Sequence, residues 1–160
     1  DHLKAIQDLT RGLELDPEYA TGYFNRGVLY LEMDQAEPAV EDFTSYINLG
    51  GNYDGYYHRA VALNNTERID ARELAINDFN TYLAVQSNDS QGYYHRAITY
   101  LGLGNFQEAL DDCQRAQEIN PNIAGDNPVG LAGTDGGPPY VADCFSLQQY
   151  VGRGGSSACD

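Results

Sequence analysis

The chain has 160 residues, 24 acidic against 9 basic, for a net charge of -15, and 42% of it is hydrophobic. This length and apolar content suit one domain with a sizeable core, and the charge excludes nucleic acid and anionic lipid as natural partners, because phosphate is repelled over most of the surface. No apolar run approaches the roughly 18 residues of a membrane-spanning helix, so membrane insertion is not expected, and the lack of an initiator Met or a signal-like start predicts a processed or cut end.

In chain order, the first predicted element is a helix over about Asp1 to Leu15, which contains Ala5-Ile6-Gln7-Asp8-Leu9 and stops at Asp16-Pro17. A segment Gly-Tyr-Phe-Asn-Arg-Gly-Val-Leu-Tyr follows at 22–30, and near copies recur as Gly-Tyr-Tyr-His-Arg-Ala-Val-Ala-Leu at 55–63 and Gly-Tyr-Tyr-His-Arg-Ala-Ile-Thr-Tyr at 92–100. After each comes a second segment, Ala39-Val40-Glu41-Asp42-Phe43, Ala75-Ile76-Asn77-Asp78-Phe79 and Ala109-Leu110-Asp111-Asp112-Cys113, of which residues 5–9 are an orphan version. Apolar residues in both segments fall at helical spacing, so each unit is expected to be two amphipathic helices joined by a turn. The first segments begin at 22, 55 and 92, so they are 33 and then 37 residues apart. The surplus is expected as a longer turn at Thr66-Glu67-Arg68-Ile69-Asp70, where insertion on the surface costs little. Asp34 with Glu37 and Asp70 with Glu73 have the spacing of a helix cap followed by a first-turn acid.

The repeated positions are Tyr23, Gly27, Tyr30, Ala39 and Phe43; then Tyr56, Ala60, Leu63, Ala75 and Phe79; then Tyr93, Ala97, Tyr100 and Ala109, with Cys113 in place of the aromatic and Pro121 at the exit. This pattern resembles the tetratricopeptide repeat family, from Asp1 to about Pro121. The resemblance implies an all-α solenoid of about three and a half helix-turn-helix repeats over 1–121: a half-repeat at 1–19 and repeats at 20–52, 53–89 and 90–121. A Gly/Pro-rich linker at 122–138 and a capping helix or docking arm at 139–160 complete the expected layout. Small residues let helix backbones approach, and aromatics fill the space between hairpins.

Two departures from the family pattern are informative. Just before the small residue of each first helix, where the family places an apolar residue, stand Arg26, Arg59 and Arg96, while each second helix carries Asp42, Asp78 or Asp112 and the orphan carries Asp8. These predict a structural ladder of ion pairs between helices. The resemblance also puts Phe24, Val28, Leu31, Tyr57, Val61, Tyr94, Ile98 and Leu101 along a concave groove. That row is aromatic and aliphatic, suited to an apolar or helical segment and unlike a basic carboxylate clamp; packing of some of these side chains inside the stack is the alternative.

No catalytic constellation, cofactor or metal is expected. His58 and His95 occupy equivalent places in successive repeats, and repetition accounts for them better than a shared metal. Cys113, Cys144 and Cys159 have no metal-ligand spacing; they are expected either as a disulfide, Cys113 to Cys144 or Cys144 to Cys159, or as idle thiols. Asn64-Asn65-Thr66 and Asn88-Asp89-Ser90 are glycosylation sequons, with covalent glycans at Asn64 and Asn88 meaningful only outside the cell.

The orphan helix leaves an apolar flank near Leu9 and Leu13, expected to be covered either by a missing upstream repeat, if the chain was cut, or by the end of a neighbouring molecule, with Phe145, Leu147 and Tyr150 as the candidate residues of that end. The expected function is a non-enzymatic protein-interaction scaffold that assembles head-to-tail into an oligomer or filament. The alternatives are an adaptor or receptor that takes a foreign peptide in the aromatic groove, and a glycan or small-ligand binder that uses the tyrosines. Acidity, scarce Lys, the sequons and the Cys-containing tail point to an extracellular or cell-surface location, with the cytoplasm as the alternative.

Overall fold

Residues 1–66 and 68–123 are described by the computed structural model. Among them the regular structure is seven helices: α1 (His2–Leu15), α2 (Ala20–Glu32), α3 (Ala36–Asn48), α4 (Asp54–Asn65), α5 (Ile69–Val85), α6 (Ser90–Gly102) and α7 (Phe106–Ile119). The chain divides into two compact units, Asp1–Val85 and one that starts at Gln86. The first holds α1 to α5, each packed on the next in order, and the second holds the α6–α7 hairpin.

Local chemistry sets the helix ends. The α2–α3 turn is closed by Asp34 at φ 56, whose N–H donates to the Leu31 carbonyl at 3.0 Å. At the same place in the α6–α7 turn, Gly104 at φ 77 donates to the Leu101 carbonyl, also at 3.0 Å. Each thus satisfies a carbonyl that its helix end would leave open. Asp34 therefore terminates α2; it does not cap α3, whose N-cap is Gln35. An acidic cap does operate at α6, where Asp89 Oδ1 accepts from the Gln91 N–H at 3.0 Å.

The longer middle repeat is not built as a longer turn. The α4–α5 connection is residues 66–68, matching 33–35 and 103–105 in length, and the surplus goes into α5, which has 17 residues against 13 in α3 and 14 in α7. The segment Ile69-Asp70-Ala71-Arg72-Glu73-Leu74 has no Gly or Pro, and Asp70 favours the positive end of the helix dipole, so the added residues wind on as helix.

The small residues act as the repeat pattern requires. A Cβ on Gly27 would lie 2.9 Å from the Phe43 ring, so glycine is what lets α2 close on α3. Phe43 and Phe79 are fully buried at equivalent positions of α3 and α5, among Ala39 and Ala62 in one cluster and Ala60 and Ala75 in the next. Each such ring removes enough apolar surface from water to contribute about 2–3 kcal/mol. In the second unit Cys113 takes that position, with Tyr94, Ala97, Ala109 and Ile123 around it.

Candidate protein-interaction surface

Each hairpin is fastened by one forked ion pair. Arg26 donates from Nε and Nη2 to the two Asp42 oxygens at 2.8 and 2.7 Å, Arg59 to Asp78 at 2.7 and 2.8 Å, and Arg96 to Asp112 at 2.7 Å twice. In the first unit the remaining nitrogen, Nη1, reaches back to the preceding second helix: from Arg26 to Thr10 Oγ1 at 3.0 Å and from Arg59 to Thr44 Oγ1 at 3.3 Å. A Tyr three residues earlier supplies a shelf, with the guanidinium carbon 5.7, 5.6 and 5.5 Å from the Tyr23, Tyr56 and Tyr93 ring centres. Tyr-x-x-Arg is thus a working unit whose planar cation is held by a ring below and a carboxylate in front. The hydrogen bond to Asp42 and that to Asp78 hold Arg26 and Arg59 above their ordinary pKa, and for Arg96 the Asp112 interactions outweigh an opposing burial. The two threonines are not singled out by the repeat pattern; their shared place two residues after the Asp, at Thr10 and Thr44, is the signal the sequence offers.

The row expected to line a groove is largely drawn into the hairpin cores. Phe24, Val28 and Leu31 are half-buried against Ala39, Phe43 and Ala62, and Tyr57 and Val61 are half-buried against Ala60 and Phe79. Tyr94 is 3% exposed and belongs to the core around Cys113, with Ile98 and Leu101 packed on it, so it offers no surface to a partner. His58 lies among Phe24, Phe43 and Tyr57, with ring centres 5.0 to 5.5 Å away, and burial lowers its pKa against a weaker opposing pull from Asp54. It is an aromatic filler held neutral. His95 is buried, and among the described residues no cluster of His, Cys, Asp and Glu could hold a metal ion.

The face left open is on α1. Ala39, Ala75 and Ala109 are fully buried, Asp42, Asp78 and Asp112 are 4–6% exposed, and Phe43, Phe79 and Cys113 are fully buried. Their counterparts on α1 are Ala5 and Leu9, half-buried, and Asp8, exposed. Asp8 has no ion-pair partner among the described residues, so the expected ladder has three rungs and an unfilled fourth carboxylate. Gly12, in the register of Tyr46 and Tyr82, would find nothing within 4 Å of an added Cβ. Leu13, expected on this flank, is buried instead against Gly22 of α2, because it falls on the side of α1 that meets the next hairpin. Phe145, Leu147 and Tyr150 lie outside the described residues, as do Cys144 and Cys159.

Cys113 is disulfide-bonded. Asn64 is half-buried within α4, and Thr66 of its sequon is buried, with its hydroxyl donating to the Leu63 carbonyl at 2.7 Å. Asn88 is exposed between α5 and α6. No helix among the described residues is long and apolar enough to cross a membrane.

Comparison with known proteins agrees with this geometry. The model of the tetratricopeptide repeat matches residues 90–123. The UDP-N-acetylglucosamine–peptide N-acetylglucosaminyltransferase of Giardia intestinalis is 32% identical over 76% of the chain and 10% of its own length. The mitochondrial import receptor subunit TOM70 of Homo sapiens is 30% identical over 69% of the chain and 20% of its own length. The chain therefore spans a small part of these curated relatives, and their activities belong to much longer proteins. Among solved structures, MamA aligns over 96% of this chain and 80% of its own at TM-score 0.76 and 19% identity. YrrB, described as a TPR protein with an unusual peptide-binding site, aligns over 78% of this chain and 63% of its own at TM-score 0.67 and 22% identity. These likenesses establish an all-α helical-repeat fold, and the tetratricopeptide repeat matched at 90–123 is generally a non-catalytic protein-interaction module. The matched repeat at 90–123 and the two further Tyr-x-x-Arg hairpins before it show that the described chain is folded as tetratricopeptide-type helical hairpins.

Proposed function

We propose that the chain is an interaction scaffold that associates head-to-tail with copies of itself through the open face of α1. One observation carries the reading: Ala5, Asp8 and Leu9 remain accessible although the same three positions are buried on every other second helix. A repeat hairpin gains stability from its neighbours, so this second-helix face is one that a further helix is expected to cover. A heterologous contact of this kind propagates into a chain of subunits when it does not close. The disulfide-bonded Cys113 supports an oxidising, extracellular setting for such an assembly.

Gly12→Arg tests the reading without disturbing the fold, since the new side chain meets open space and removes a helix-interior glycine. Sedimentation of the unreduced chain over a concentration series is expected to show mass rising with concentration for the wild type and a constant monomer mass for Gly12→Arg. A wild type that stays monomeric throughout sinks the proposal. That result would favour a second reading, capture of a foreign peptide along the half-buried Phe24, Val28, Tyr57 and Val61, which the likeness to YrrB supports.

A further inference from the structure

Independently of the head-to-tail reading, we infer that His58 makes the seam between the α2–α3 hairpin and α4 an acid-sensitive joint, closed around a neutral imidazole and loosened when that ring takes a proton. The seam is a run of aromatic rings. Phe24 meets Phe43 and Tyr46 at 5.7 and 5.0 Å between ring centres, all three on the α2–α3 hairpin. Tyr57 of α4 meets Phe79 and Tyr82 of α5 at 6.0 and 5.1 Å. His58 joins the two groups: it stacks on Phe43 at 5.5 Å and 24°, and it meets Phe24 and Tyr57 nearly at right angles at 5.0 and 5.2 Å. Among these rings it is the one that ordinarily ionises near neutral pH, and being half-buried it is still reached from solvent.

The charged groups of the helices packed here are engaged with one another. Arg26 of α2 is forked onto Asp42 of α3, and Arg59 of α4 onto Asp78 of α5. Tyr46 and Tyr82 bring phenols, which are uncharged near neutral pH. Asp54, one turn earlier on α4, is the carboxylate that favours a proton on His58, and its pull is weaker than the burial that opposes it. As pH falls below the ordinary imidazole value of about 6.5, the unfolded chain therefore takes up this proton before the folded chain does. Stability is lost over that range, before the carboxylates begin to titrate. Phe24 and Tyr57 also belong to the row named for peptide capture, so acid acts on that row as well.

Chemical denaturation of the full, unreduced chain from about pH 8 to 5 tests the joint. The wild-type midpoint is expected to fall across this range, and His58→Phe, which keeps a ring and removes the ionisable nitrogens, is expected to fall less. The difference between the two profiles separates His58 from His2 and His95, which both proteins retain. A second measurement needs no variant: proton NMR of the folded wild type is expected to show the His58 ring titrating below about 6.5. Hydrogen exchange, corrected for the intrinsic effect of pH, should show α2, α3 and α4 losing protection at the acid end in the wild type and keeping more of it in His58→Phe. Parallel denaturation profiles of the two proteins, or a folded-state His58 midpoint at or above about 6.5, overturn the inference. Acid-induced loss of protection that spares α2, α3 and α4 overturns it too.

Discussion

Replacing Asp42 with Ala is expected to lower the unfolding free energy by about 3–5 kcal/mol, as read from the midpoint of chemical denaturation. The Asp42 side chain is 5% exposed and that of Arg26 16%, so removing the carboxylate strands a guanidinium that has little water to replace it. Most of the cost is this stranded charge; it does not measure the attraction of the intact pair. Replacing both partners with apolar residues of similar volume, Arg26→Met with Asp42→Leu, is therefore expected to recover most of the loss. A loss below about 1 kcal/mol for Asp42→Ala, the value of a solvent-exposed pair, would contradict the assignment of Arg26 and Asp42 as the clamp of the first hairpin.

Phe43→Ala is expected to cost about 3–5 kcal/mol by the same measurement. The ring is fully buried, sits against Gly27, and meets both Phe24 and His58, with ring centres at 5.7 and 5.5 Å. It thus joins α2, α3 and α4, and its removal leaves a cavity where three helices converge. Gly27→Leu should be destabilising for the complementary reason, since its Cβ alone would lie 2.9 Å from that ring. Combining the two changes should cost less than the sum of the single effects, because the added side chain enters the space the ring vacates.

Much of the fold is legible in the sequence because the repeat is written at several positions together. Ala39, Ala75 and Ala109, with the Tyr-x-x-Arg segments before them, locate six helices and their pairing, and the recurring Asp names the partner of each Arg. What the pattern leaves open is which neighbour a side chain meets. Leu13 and Leu9 both belong to the apolar side of α1, yet only contact with Gly22 reveals that Leu13 is already covered. Tyr94 likewise has the spacing of a groove residue and is buried in its own hairpin. The extra residues of the middle repeat fit either a turn or a helix by length; helix-forming composition and the acid Asp70 decide for α5. Asp8 is recognisable by register, but its lack of a partner is a property of the packing.

The central claim, that the open face of α1 is where copies meet, is tested most directly by hydrogen exchange of the full, unreduced chain at low and high protein concentration. Backbone amides around Ala5, Asp8 and Leu9 are expected to exchange more slowly as concentration rises, while those of α3, whose equivalent face is already covered, keep a constant rate. Exchange in α1 that is independent of concentration, in a sample whose mass does increase, would place the contact elsewhere and contradict the account.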